Sequence, residues 1–229
     1  ANLDVMFGVK GNKNILHLLK GTANLDEILI KIEEGLYLIP GESGEEILKY
    51  SSEFLFEKFT GETSFLDSLD FVIVDTGAGI GEHVQAFLNA SDDIIVVTAT
   101  DPAAVTDAYA TIKIISKTKQ KIFMIINMAR SDKEAGVIFE KISKVAKSYI
   151  TNDFALKLLG KIKSSEHVSK SVKHRMLVAR EYPNTEAYFD LESVVKNFLL
   201  EVEQNVLEFP EEGRFSRFFK KILSQIGRA

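Results

Sequence analysis

Cysteine is absent from all 229 residues. Neither a disulfide framework nor a thiolate metal site can form, and the composition suits a reducing compartment. Long apolar runs are missing too: each is far shorter than the ~20 residues of a membrane-spanning helix. The N-terminus lacks the basic-then-apolar pattern of a secretory signal, so a cytoplasmic protein is expected. The four histidines, His17, His83, His167 and His174, show no metal-ligand spacing, and no Ser/His/Asp set with a nucleophile elbow occurs. Internal repeats and low-complexity segments are also lacking. The first residue is Ala1 rather than Met, which leads to the expectation of a processed product or a fragment.

What remains is ordinary globular material, 45% hydrophobic and 27% charged, enough for one large α/β domain or two small ones. The net charge of −5 hides an asymmetry. Residues 214–229 carry Arg214, Arg217, Lys220, Lys221 and Arg228 with no acid, so the tail is +5 and the rest −10. An acidic body disfavours a general nucleic-acid binder.

Short apolar runs alternate with stretches of helical periodicity, the pattern of a parallel α/β sheet. Strands are expected at Leu36–Ile39, Phe71–Asp75, Ile94–Thr98, Ile122–Asn127 and Leu156–Gly160. Near-continuous apolar runs of this kind belong to strands covered by helices on both faces. Helices are expected at Leu25–Glu33, Glu45–Phe59, Glu82–Asn89, Ala103–Lys117, Lys133–Ser148 and Thr185–Glu203, with Asp132 and Asn184 as N-caps. Residues 210–213 read as a linker between a body, 1–209, and the basic tail.

The sharpest signal is Phe71-Val72-Ile73-Val74-Asp75-Thr76-Gly77-Ala78-Gly79-Ile80-Gly81. A buried strand ending in an aspartate places that carboxylate where open α/β sheets bind ligands. In P-loop NTPases such an aspartate holds the Mg²⁺ that bridges the β- and γ-phosphates. The following glycines let the backbone turn sharply and approach a phosphate closely. Two other readings stay open at this point: a strand ending in an Asx turn without a ligand, and a dinucleotide fingerprint built on Gly77, Gly79 and Asp101. The fingerprint would want glycine where Glu82 stands, and would aim Asp75 at a pyrophosphate with no metal between them.

Asp75-Thr76-Gly77-Ala78-Gly79-Ile80 resembles the switch II segment of the MinD/ParA (SIMIBI-class) ATPases, and its Thr-Gly variant is similar to FlhG-type members. The likeness continues in order through Ala1-Asn2-Leu3-Asp4-Val5-Met6-Phe7-Gly8, the stretch Gly35 to Gly44, Ser91-Asp92-Asp93, Asp101-Pro102, Thr106-Asp107-Ala108-Tyr109-Ala110 and Ile125-Ile126-Asn127-Met128. It spans nearly all of residues 1–200. The resemblance implies an open, mainly parallel sheet with helices on both faces, P-loop NTPase-like and three-layered, carrying an additional C-terminal amphipathic helix. It also implies ATP and Mg²⁺ as cofactors. Asp75 would bind Mg²⁺ through water, and Gly77, Ala78 and Gly79 would sense the γ-phosphate. Asn127 would hydrogen-bond adenine, its amide both donating and accepting, although a strand-end turn residue is the plainer reading. The loop Lys163-Ser164-Ser165 matches the family's second adenine-side loop, with Lys163 where proline is usual. Asn2 would lie at an ATP-dependent homodimer face.

One family element is missing. No Lys-Gly-Gly-x-x-Lys-Thr/Ser phosphate loop occurs anywhere in the sequence; Lys10-Gly11-Asn12-Lys13 lacks its glycines and a preceding strand. Because phosphoryl transfer rests on positioning and neutralising the phosphates, residues 1–229 alone are expected to be catalytically inactive. A longer natural protein or a non-catalytic relative would each account for this, and the non-Met start favours the longer protein.

In the tail, Phe215, Phe218, Phe219, Ile222, Leu223 and Ile226 fall on one helical face, and Arg217, Lys220, Lys221, Ser224 and Gln225 on the other. That pattern lies in anionic membrane surfaces; the same face could instead dock on the protein's own core. The sequence thus leads to the expectation of a cytoplasmic ATPase switch that dimerises with ATP and associates peripherally with the inner face of the membrane. The resemblance implies flagellar number or placement as its field, with an FlhF-like GTPase or flagellar components as partners, and the acidic body disfavours DNA. A non-catalytic interaction module of the same fold is the alternative.

Overall fold

The structure, a computed structural model, describes residues 3–41, 46–47, 64–150, 154–203 and 213–226. The chain forms two compact units, Asp93–Phe209 and Ala1–Asp92 with Pro210–Ala229.

The first of these units is the sheet. Strands β3 (Ile95–Thr98), β4 (Lys121–Ala129) and β5 (Ala155–Lys163) are parallel in the order β3-β4-β5. Val96 faces Met124 across one ladder, and Phe123 faces Lys157 across the other. Their connections are α6 (Pro102–Ile115) and α7 (Asp132–Tyr149). Two successive right-handed crossovers running in one direction put both helices on one face, and α6 and α7 do pack together. The opposite face takes α10 (Glu186–Glu203), whose Val194 and Phe198 close over Phe123, Ile125 and Leu159. Gly160 makes that approach possible, since a Cβ there would stand 2.9 Å from Val194 Cγ2. The expected three-layer arrangement is therefore present. β4, apolar from Ile122 to Ile126, is buried on both faces, as its sequence requires.

The helix starts differ from expectation by a residue. Ser131, not Asp132, caps α7: its Oγ accepts the Glu134 N–H at 3.1 Å, while Glu134 Oε2 accepts the Arg130 N–H at 2.7 Å. Thr185, not Asn184, serves α10, its Oγ1 accepting the Tyr188 N–H. In both cases the hydroxyl of the residue immediately before the helix reaches the orphan N–H groups. Helices α8 (Glu166–His174) and α9 (Val178–Glu181) complete the unit.

The other unit contains α1 (Leu3–Phe7), α2 (Ile15–Leu19), α3 (Leu25–Ile28), the hairpin β1 (Ile30–Glu33) and β2 (Leu36–Leu38), α4 (Ser64–Asp67), α5 (Glu82–Ala90) and α11 (Arg214–Ile226). The helix expected over Leu25–Glu33 breaks after Ile28. Ile30-Lys31-Ile32-Glu33 alternates and pairs antiparallel with β2 through a turn in which Gly35 takes a φ of 76°. So Leu36–Leu38 belongs to a hairpin and not to the parallel sheet. Most of the helix expected at Glu45–Phe59 lies outside the described residues.

A larger correction concerns Phe71–Asp75. Among the described residues this segment is not a strand and joins neither sheet, and Ile73 is 89% exposed. An apolar run becomes a strand only when a neighbour takes up its backbone groups, and no described strand pairs with it. The aspartate therefore ends an exposed segment outside both described sheets rather than a central strand.

The core of this unit is Leu16, Leu18, Leu19, Leu25, Ile28 and Leu66 together with Phe215 and Phe219 of α11.

Candidate nucleotide-binding residues

In the first of the two regions, residues 75–81 form an exposed loop that feeds α5. Gly79 has a φ of 100°, which a side chain would oppose, and open space surrounds the position of a Cβ at Gly77 and at Gly79. Gly81 is the N-cap of α5, with the Gln85 N–H donating to its carbonyl at 3.0 Å; Gln85 Nε2 donates to the Ile80 carbonyl at 2.7 Å. The loop is thus tied to the helix at its far end and uncrowded at its near end. Asp75 is exposed, and among the described residues its carboxylate has no hydrogen bond or ion pair. Magnesium retains several waters and takes one or two carboxylates plus phosphates. A lone free carboxylate beside a glycine loop fits that demand. Among the described residues no three His, Asp or Glu side chains cluster as an all-protein metal cage.

The second region lies at the carboxyl ends of β4 and β5. Asn127 pairs with Ile162 and Ala129 with Lys163, with a register shift between them. Asn127 Oδ1 accepts the Met128 N–H at 2.9 Å, which orients the amide and leaves Nδ2 as its donor. Met128 has a φ of 56° and is 57% exposed, a strained position for a residue with a Cβ. The Ser164 N–H donates to the Ala129 carbonyl at 3.2 Å, so Asn127 and Lys163-Ser164-Ser165 come together as one rim. Ser165 caps α8, its Oγ accepting the His167 N–H at 3.2 Å. Lys163 Nζ is engaged by Glu186 at 3.0 Å.

Sequence reasoning missed the ionic frame beneath this rim. Lys161 bonds Asp190 and lies 3.0 Å from Asp132, and the Lys163 N–H donates to Asp190 Oδ2 at 2.9 Å. Burial pulls the Lys161 ammonium down, but the hydrogen bonds to Asp190 and Asp132 outweigh it and hold its pKa above the ordinary lysine value. The hydrogen bond from Lys161 holds Asp132 below the usual carboxylate range. Lysine at 161 between Gly160 and Ile162, in a strand that also carries Lys157 and Lys163, was the available signal, because a largely buried ammonium needs partners.

Asn2 lies outside the described residues. Of the tail residues, Phe215, Phe219 and Ile222 are buried and Phe218 half-buried, stacked 6.4 Å from Phe87 of α5. Lys221 reaches Asp92 at 3.5 Å and the Ala90 carbonyl at 3.5 Å, while Lys220 is exposed. Asp67 caps α11: Oδ1 accepts the Phe215 N–H at 2.8 Å and Oδ2 the Ser216 hydroxyl at 3.2 Å. A Cβ on Gly213 would overlap that carboxylate. Phe215, Phe219 and Ile222 of the apolar face of α11 are thus covered by the protein itself here. Among the described residues no helix is long and apolar enough to cross a membrane.

Comparison with solved structures identifies the class as the MinD-like P-loop NTPase fold. MinD of Pyrococcus horikoshii, complexed with Mg-ADP, superposes with a TM-score of 0.66 at 16% identity, over 91% of this chain and 82% of that one. A family profile, ParA, described as NUBPL iron-transfer P-loop NTPase, matches residues 50–199. The flagellum site-determining protein YlxH of Helicobacter pylori is 48% identical over 228 residues, 99% of this chain and 77% of that protein. The antiactivator FleN of Pseudomonas aeruginosa is 29% identical, over 86% of this chain and 70% of its own length. The chain belongs to the ParA/MinD family of P-loop NTPases. That membership removes the dinucleotide fingerprint from consideration.

Proposed function

We propose that the protein is an ATP-dependent switch that governs flagellar number or placement. The observation that carries this reading is the 48% identity with the flagellum site-determining protein YlxH across nearly the whole chain. Asn127, with its donor Nδ2 free and the rim of Lys163, Ser164 and Ser165 beside it, would recognise the adenine edge. Asp75 would hold Mg²⁺ through water, and Gly77, Ala78 and Gly79 would admit the γ-phosphate to the backbone. When bound, the metal neutralises charge on the β- and γ-phosphates. The chain's own part is to keep one carboxylate unpaired and one loop uncrowded. The sequence supplies no phosphate loop, so hydrolysis is assigned to the full-length protein and not to residues 1–229.

ATP would bring two copies together at a face that includes Asn2. Helix α11 would leave its place on the body and lay Phe215, Phe218, Phe219, Ile222 and Ile226 into an anionic membrane, with Lys220 and Lys221 toward the headgroups. An FlhF-like GTPase or flagellar components would read the dimer.

The test is the full-length protein with Asp75→Ala. Mg²⁺-dependent ATP hydrolysis should be abolished while ATP binding is lowered far less, and sedimentation should show dimers with ATP but not with ADP in the unmodified protein. Turnover unchanged by Asp75→Ala would refute the assignment.

A further inference from the structure

The carboxylate of Asp190 sits on α10, far along the sequence from the residues assigned to nucleotide, yet it makes two bonds at the end of β5. Its side chain is only 12% exposed. One oxygen takes the Lys161 ammonium and the other takes the backbone N–H of Lys163. That N–H belongs to the last residue of β5, which among the described residues has β4 on one side only, so the carboxylate supplies the acceptor that a further strand would have supplied. Lys161 is shared with Asp132 in the first turn of α7. One turn before Asp190, Glu186 holds the Lys163 side chain. The next residue, Ser164, donates its N–H to Ala129, two residues beyond Asn127. Thus α10 grips the start of the Lys163–Ser165 loop by both main chain and side chain, and the loop in turn abuts the strand end that carries Asn127.

We infer that Asp190 is a positioning residue that fixes the Lys163–Ser165 loop against Asn127 and thereby sets the preference for adenine over guanine. The inference rests on the nucleotide reading above. Adenine offers a donor amine and an acceptor ring nitrogen where guanine offers an acceptor carbonyl and a donor ring N–H. A rim of one amide and backbone groups tells them apart only while its geometry is fixed, because discrimination comes from leaving polar groups unpaired against the wrong base. Loosening the loop lets backbone N–H and C=O groups adapt, and the preference falls. The Lys163 side chain is occupied by Glu186, so its contribution is its main chain.

The experiment uses full-length protein and titrates fluorescent ATP and GTP analogues into wild type, Asp190→Asn and Glu186→Gln. Asn keeps the size of Asp190 but turns one acceptor into a donor facing a donor. The ATP-to-GTP affinity ratio should fall about tenfold in Asp190→Asn, the worth of one charge-assisted hydrogen bond, and stay within about twofold in Glu186→Gln, whose pair is half in solvent. A merely structural role would lower both affinities together and leave the ratio alone. An unchanged ratio in folded Asp190→Asn overturns the inference and spares the nucleotide reading. A wild type that binds neither analogue overturns the nucleotide reading and, with it, this one. Hydrogen exchange of wild type keeps the inference testable if Asp190→Asn does not fold: the Lys163 amide should be protected, and exchange at an open-loop rate overturns the clamp.

Discussion

Replacing Asp67 by alanine isolates what holds α11 against the body. Burial of Phe215, Phe219 and Ile222 in the docked helix is worth roughly 1.5–3 kcal/mol each. A lipid bilayer offers those side chains a comparable apolar environment, so this large term nearly cancels between the docked and the membrane-bound helix. The balance then falls to the polar contacts that exist only in the docked state. Asp92 pairs with Lys221 at 3.5 Å and Arg217 at 4.0 Å, but all three side chains are more than a third exposed, so these are worth at most about 1 kcal/mol and anionic headgroups would replace them. Arg217 Nε is buried without a hydrogen-bond partner among the described residues, which works against docking. Asp67 is left as the main polar latch, accepting from the Phe215 N–H and the Ser216 hydroxyl. Removing an N-cap costs about 1 kcal/mol, up to 2, which shifts the equilibrium toward lipid roughly five- to thirtyfold. The assay is co-sedimentation of nucleotide-free full-length protein with anionic and with neutral vesicles. Asp67→Ala should raise binding to anionic vesicles by about tenfold, and Phe218→Glu should suppress it again. Equal or weaker binding by a folded Asp67→Ala, or equal binding to neutral vesicles, would refute the reasoning.

Three further outcomes follow from the sheet unit. Gly160→Ala should lower stability by about 1–3 kcal/mol, read by denaturant midpoint, because its Cβ meets Val194 on α10. Arg175, the C-cap of α8, has a φ of 58° and a ψ of 46°; Arg175→Gly should raise stability by about 0.5–1 kcal/mol, a melting shift of a few degrees. The raised Lys161 and lowered Asp132 pKa values set two pH limits. Lys161 contributes fully below its unfolded value, ~10.4, and loses that contribution as pH rises through its folded value. Asp132 contributes above its unfolded value, ~3.9, and loses that contribution as pH falls through its folded value. The melting difference between wild type and Lys161→Met should therefore shrink above about pH 10.4, and that for Asp132→Asn should begin to shrink below about pH 4.

The sheet strands and long helices of residues 95–203 were legible because β4, buried on both faces, is a continuous apolar run, β3 and β5 carry shorter ones, and the amphipathic helices around them carry the complementary period. The place of Asn127 at a strand end was legible as the first polar residue after the β4 run, while its adenine role came only from the family resemblance. The hairpin was not, because Leu25, Ile28, Leu29 and Ile32 also fit helical spacing; the alternation from Ile30 and the glycine at 35 were the competing signals, and tertiary pairing decided. Phe71–Val74 misled because hydrophobicity reports what a segment could bury and not what stands beside it. Asp190 and Asp67 were invisible because each acts on a backbone N–H far away in sequence, 27 and 148 residues respectively, and no local pattern encodes such a meeting. The amphipathic tail was read correctly as a face needing cover, while the identity of that cover depends on contacts that only the fold brings near.

The absent side chain at 213 has a genetic consequence. Every missense change in a glycine codon introduces a β-carbon, so each one at this position pushes into the Asp67 carboxylate. No amino-acid replacement there is neutral toward the latch. If the tail must leave the body for function, as proposed above, spontaneous suppressors of a tail held too firmly should therefore fall at the codons for Gly213 and Asp67, distant in sequence and against one another in the protein.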